Sequence, residues 1–276
     1  MTDQLVEYLG YPFVRHALVV GTLISVAAAL LGVSLVLRRL SNMGDGLSHV
    51  AFAAMAIGGV MSLTDNFLPG LVATSACSVV LMSARSHSKT KGDAALAMLS
   101  VGMLALGYLA VNLFPTSSNV SGDVCTTLFG STSILTLSDR DVWVSGALSV
   151  AVAGFCVWTH HRSLEFAFDE DFARVEGGRV RAFNTISALV VAVVVVVSIR
   201  LVGALLVSAL LVFPAASALR IFKSYRAVCA FAALFAAVSA LTGVLTSVLA
   251  GTPVGATIIA VDMFVFAVCW IIGKRG

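Results

Sequence analysis

Apolar runs about as long as a lipid bilayer is thick recur from one end of this sequence to the other. At a rise of ~1.5 Å per residue, about 20 apolar residues carry a helix across ~30 Å of hydrocarbon. Runs that meet this measure lie near residues 14–37, 44–62, 66–84, 94–113, 141–159, 182–199, 201–219, 227–249 and 254–273. They restrict the chain to helices, because a backbone in lipid must satisfy its own hydrogen bonds. The second run is short and polar at its start. The sixth and seventh are separated only by Arg200 and its neighbours, which leaves room for a half-span or a tight hairpin. The expectation is an all-α, polytopic transmembrane helical bundle of eight or nine spans, a single transmembrane domain over residues 1–276. Pro214, inside the seventh run, removes a backbone donor and should kink it. Composition agrees. Charged residues make up 11% and hydrophobic residues 59%, with a mean hydropathy of +1.02, where soluble domains carry about a quarter charged residues.

Orientation follows from Lys and Arg in the short loops. With the N-terminus outside and nine spans, fourteen of the seventeen fall on the cytoplasmic side, and only Arg15, Arg140 and Arg200 lie outside. The C-terminus is then cytoplasmic. The first run follows Asp3 and Glu7 rather than a basic segment and is too long for a signal-peptide core, so it reads as a permanent span. The five cysteines contain no CxxC pair and suggest neither a disulfide framework nor a structural zinc site. No basic run with interleaved aromatics is present, which argues against nucleic-acid binding. Two long connections remain. Residues 114–140 are external, with an apolar centre that could lie on the membrane or re-enter it. Residues 160–181 are cytoplasmic and mix Phe166, Phe168 and Phe172 with Asp169, Glu170, Asp171 and Arg174 before Gly177 and Gly178. A short amphipathic helix stopped by glycine fits this pattern. It could cap the bundle at the lipid surface or dock into a partner's groove.

An ionisable group within a span costs about 2.5–3.5 kcal/mol on insertion scales, so each one asks for a reason. In SNMGDGLSHVAFAAMAIGG, residues 41–59, Asp45 and His49 stand at i and i+4, on one helix face. A carboxylate and an imidazole are ligands that zinc, manganese and iron all accept. An interhelical hydrogen bond or a self-neutralising Asp–His pair would use the same residues. The small residues around them permit close helix approach. Asp262 lies well inside the last run with no local partner, and Asn112 lies near the outer end of the fourth; both are candidates for a polar pathway or for interhelical hydrogen bonding. Asp93 opens the fourth run as an N-terminal helix charge. His160 and His161 read as interface residues, and His16 and His87 as solvated ones. No GxxxxGK[ST] occurs, so this chain does not hold ATP in the P-loop manner. HExxH and GxSxG are absent as well, which sets aside a membrane hydrolase.

Gly44-Asp45-Gly46-Leu47-Ser48-His49 resembles the GD-x-L-S/A-H segment of the metal-ion permeases of ATP-binding-cassette importers. The likeness continues through Asp93-Ala94-Ala95, Leu128-Phe129-Gly130, and Phe168-Asp169 to Phe172-Ala173 with Gly177. It ends with VGALLVSALLVFPAASALR (202–220) and Thr252-Pro253-Val254-Gly255-Ala256-Thr257. Six ordered landmarks cover nearly the whole chain. The resemblance implies a bacterial inner-membrane permease without enzymatic activity of its own, working as a dimer of two copies or with a close paralogue. It implies a cytoplasmic ATP-binding subunit and an extracytoplasmic metal-binding protein as partners. It further implies that Asp45 and His49 meet the metal in transit, with no permanently bound cofactor. Phe168, Asp169, Glu170, Phe172, Ala173 and Gly177 would form the ATPase-coupling segment. Asp262 departs from the family, where a neutral residue is expected. VAFAAMA after His49 stands where many manganese members carry Pro-Gly, which favours zinc, with manganese or iron possible. The alternative from another class is a proton- or ion-coupled secondary transporter with Asp45, His49 and Asp262 as its relay.

Overall fold

The computed structural model describes residues 10–61, 67–85, 91–114, 128–130, 137–168 and 180–273. Each of the nine apolar runs is a helix, with ends within three residues of those expected. In chain order the helices are α1 (Pro12–Leu37), α2 (Ser41–Val60), α3 (Phe67–Arg85), α4 (Lys91–Leu113), α5 (Asp139–Trp158), α6 (His160–Phe168), α7 (Val180–Val202), α8 (Ala204–Ile221), α9 (Tyr225–Ala250) and α10 (Val254–Gly273). Seven of them are long and apolar enough to cross a membrane: α1, α4 from Leu96, α5, α7, α8, α9 and α10. Helix α3 contributes a shorter apolar stretch, Phe67–Leu81. The amphipathic element expected after residue 160 begins as α6.

Helices α1 and α8 form the centre. Helix α1 packs against α9, α8 and α5, and α8 packs against α1, α10, α9 and α2. Their contact is backbone to backbone. A Cβ added to Gly32 on α1 would lie 1.9 Å from the Leu211 carbonyl oxygen on α8, and one on Gly44 of α2 would lie 2.5 Å from Leu211 Cδ1. Small residues in these positions replace the hydrophobic effect, which lipid does not supply between spans, with close van der Waals contact. The core around them is buried aliphatic side chains, among them Ile24, Leu31, Leu47, Leu206 and Leu210. Large apolar residues such as Met98 and Val101 on α4, Trp143 and Trp158 on α5 and Phe264 and Ile271 on α10 are instead exposed, as lipid-facing surfaces require.

The break between the sixth and seventh runs is one residue wide. Gly203 adopts φ 95° and ψ 156°, a conformation that costs a residue with a Cβ far more than it costs glycine. Both flanking helices are long and apolar enough to cross a membrane. Leu128-Phe129-Gly130, from the connection between α4 and α5, is wedged against this junction. A Cβ on Gly203 would lie 2.6 Å from the Gly130 nitrogen, and one on Gly255 would lie 2.4 Å from the Phe129 carbonyl oxygen. Three landmarks remote in sequence thus meet at one point. Pro214 lies within α8, which continues past it to Ile221.

Candidate functional site in helix α2

Asp45 and His49 sit one turn apart on α2, with Asp45 Oδ1 3.5 Å from His49 Nε2. Their environments differ. The Asp45 side chain is 47% exposed and that of His49 only 8%. Helix α4 supplies a donor: the Ser100 hydroxyl donates to Asp45 Oδ2 at 3.0 Å. On the other flank, Ser48 Oγ donates to the Asp45 carbonyl oxygen at 2.8 Å and meets Ser208 Oγ of α8 at 3.3 Å. Helix α4 packs close by, with a Cβ built on Gly46 in ordinary contact with Leu96 Cδ2 at 3.4 Å. The pair is therefore held from α2, α4 and α8 at once. His49 Nδ1 is buried without a hydrogen-bond partner. Buried polar atoms are nearly always satisfied, so such an orphan on an imidazole calls for a ligand or a second conformation.

Chemically, the pair offers a half-exposed carboxylate and one shielded imidazole. No group of three or more His, Cys, Asp or Glu side chains arranged to hold a metal occurs among the described residues. A resident tetrahedral site would need four ligands. Two ligands suit an ion that binds and leaves.

The other expected site residues lie elsewhere. Asp262, on α10, is 0% exposed, and neither carboxyl oxygen has a hydrogen-bond partner; Ser239 of α9 lies beside it. Helix α10 packs chiefly on α8 and α9, whereas α2 packs on α4, α3 and α8. Helix α8 thus separates Asp262 from the Asp45–His49 pair. Asn112 is exposed on α4, and its amide donates to its own helix at the Tyr108 carbonyl oxygen, 2.9 Å away. Phe168 closes α6, while Asp169, Glu170, Phe172, Ala173 and Gly177 fall outside the described residues. His16 is not simply solvated. Its Nε2 is 3.0 Å from Asp139 Oδ1 and its Nδ1 3.3 Å from the Leu137 carbonyl oxygen, tying α1 to the start of α5. His160 packs against Tyr225 with ring centroids 4.8 Å apart and planes tilted by 52°. Partial desolvation, then His161 and Arg226, push its pKa below the usual histidine value. Ser100 and Ser208 could not be picked out from sequence, because a single serine in an apolar helix carries no pattern of its own.

A bundle of apolar helices with a half-exposed carboxylate beside a buried imidazole fits a multi-pass integral membrane protein of the bacterial inner membrane that handles an ion or polar solute. Residues 10–273 match the family model described as the ABC 3 transport family, and the chain belongs to that family, the metal-ion permeases whose motifs it shares. Three relatives illustrate its range. The Treponema pallidum protein named "Probable metal transport system membrane protein" is 34% identical over 219 residues, covering 77% of each chain. The manganese import system permease protein ScaB of Streptococcus gordonii is 25% identical over 100% of this chain and 97% of its own. The high-affinity zinc uptake system membrane protein ZnuB of Haemophilus influenzae is 26% identical over 91% and 94%. Among solved structures, PsaBC from Streptococcus pneumoniae in complex with Fab has a chain of the same fold. Its TM-score is 0.84 at 24% identity, over 98% of this chain and 95% of that one.

Proposed function

We propose that this chain is the membrane permease subunit of an ATP-driven importer that moves a divalent transition metal ion into the cytoplasm through Asp45 and His49. The observation that carries the reading is the pair itself. A half-exposed carboxylate stands beside a buried imidazole whose Nδ1 has no partner, in a family of metal-ion permeases. Zinc is the favoured cargo, on the departure from Pro-Gly after His49, with manganese or iron possible. Relatives named for manganese and for zinc match about equally well and do not separate these cargoes. A transit site must hold its ion weakly enough to release it. Two side-chain ligands completed by water or one further group serve that need better than a closed cage.

The same reading assigns nine crossings with the N-terminus outside, on the positive-inside distribution. It assigns a second permease copy or a paralogue, a cytoplasmic ATP-binding subunit meeting the 160–181 loop, and an extracytoplasmic metal-binding protein that delivers the ion. The proton-relay alternative is less economical, since a relay from His49 to Asp262 would have to cross α8.

Uptake of radioactive Zn²⁺, Mn²⁺ and Fe²⁺ into proteoliposomes holding the permease with its ATPase subunit tests the proposal. Zn²⁺ uptake should require ATP and vanish in Asp45→Ala and His49→Ala, with both variants still folded and assembled. Normal transport by both variants would show the transit site to be wrong, whereas loss of folding would show the pair to be structural.

A further inference from the structure

Helix α6 leads into the loop that the proposed reading assigns to the ATPase, yet it packs on α1 and α5 rather than on α2. A path from it to Asp45 is nevertheless visible. Phe166 of α6 is 6% exposed and meets Phe183 of α7 edge-on, with centroids 4.8 Å apart and planes at 69°. Phe183 also carries the Arg38 guanidinium, 5.6 Å from the ring centroid. Arg38 Nη2 donates in turn to Oδ1 of Asn184, the next residue of α7, which is itself buried. A guanidinium that stacks and hydrogen-bonds at once is fixed in orientation as well as position.

Arg38 is the C-cap of α1, and only Arg39 and Leu40 separate it from α2. That connection has no slack. Arg39 N bonds Val36 O at 3.0 Å, Leu40 N bonds Leu35 O at 2.8 Å, and Met43 N bonds Leu40 O at 2.9 Å. Arg39 takes φ 57°, the one positive φ outside glycine among the described residues. An arginine holds this left-handed conformation only where its surroundings over-determine it. A displacement of Arg38 is therefore passed to the first turn of α2, and Asp45, the fifth residue of that helix, follows directly on it.

We propose that Arg38, Asn184 and Phe183 form a latch that transmits movement of the α6 loop to the Asp45–His49 pair, acting as positioning residues for transport. The latch rests on the reading that the 160–181 loop meets the ATPase. It accounts for a strained arginine turn and a cation seated on an aromatic ring at one end of the bundle, neither of which ion binding needs.

The test separates coupling from cargo. In a permease whose five native cysteines are replaced by alanine, Asp45→Cys serves as a reporter thiol. Its maleimide reactivity is read in proteoliposomes with the ATPase subunit, with and without Mg-ATP. The parent should change reactivity with ATP. Arg38→Gln, Asn184→Ala and Phe183→Leu should shrink that change about tenfold, within the usual range of coupling between sites. ATPase co-purification and basal ATP hydrolysis should stay at the parent level, and Phe183→Tyr, which keeps the ring, should restore the response. A responsive parent with fully responsive variants overturns the latch alone. Loss of the assembled complex in the variants overturns it in favour of a merely structural clamp. A parent that ignores ATP overturns the ATPase reading and the latch with it. Because the reporter needs no metal, a wrong cargo leaves the result intact.

Discussion

Replacing Gly32 with alanine is the sharpest test of how the centre of the bundle is built. A Cβ there would lie 1.9 Å from the Leu211 carbonyl oxygen, 2.8 Å from its carbonyl carbon and 3.1 Å from its Cα. Because the obstacle is backbone, no rotamer change relieves it, and α1 and α8 must separate by more than about 1 Å to reach a tolerable carbon–oxygen distance. Overpacking of this kind costs about 1–3 kcal/mol, and more where the neighbours cannot move. The separation would also reach the candidate site, since Leu211 touches Gly44 and the Ser48–Ser208 contact already stands at 3.3 Å. Gly154→Ala on α5 is the matched control, because nothing lies within 4 Å of a Cβ there. Alanine at that position should be neutral or gain up to about 1 kcal/mol from helix propensity. Thermal unfolding in detergent, followed by size-exclusion chromatography of the heated protein, should show Gly32→Ala melting several degrees below wild type and Gly154→Ala at or above it. Equal melting temperatures for the two variants would refute the close crossing of α1 and α8.

Other outcomes can be checked with the same material. Ser100→Ala removes the hydroxyl that orients Asp45 Oδ2 and should weaken Zn²⁺ affinity about tenfold without changing stability, as read by isothermal titration of the assembled complex. Asp262→Asn keeps shape and hydrogen-bonding capacity without a charge and should transport like wild type, whereas Asp262→Lys should fail to fold, because its site is wholly buried; expression and uptake assays decide both. Phe168→Ala or Phe172→Ala should weaken assembly with the ATPase by about 2 kcal/mol, as for a buried aromatic anchor. Quantitative co-purification measures the loss, and undiminished recovery of both variants would remove the loop from that interface.

The helices were legible because a span must be both long and apolar, and the nine runs announce that demand locally. Asp45 and His49 were legible for the same reason in reverse: charge in a span stands out, and the i, i+4 spacing puts both on one face. What surrounds them was not. Ser100 and Ser208 reach the pair from α4 and α8, and that depends on which helices cross where. The crossing is set by backbone contact at Gly32 and by the seating of the Leu211 side chain on Gly44, which a pattern of apolar residues does not encode. The Arg38–Asn184 bond joins two helices at one end of the bundle, and each residue alone reads as an ordinary loop-flanking polar group. The break between the sixth and seventh runs falls at Gly203 rather than at Arg200, since a single glycine with positive φ suffices to divide one long apolar stretch into two helices.

The wedge of Leu128-Phe129-Gly130 also bears on how the protein is made. Spans enter the bilayer in chain order, but this segment finds its seat only against Gly203 and Gly255, which are synthesised much later. Until α10 is inserted, Phe129 lacks its contact at Gly255. Contacts between segments distant in sequence form late and slowly. This triple backbone contact therefore cannot close before α10 is in place, and a chain truncated before α10 would lack it.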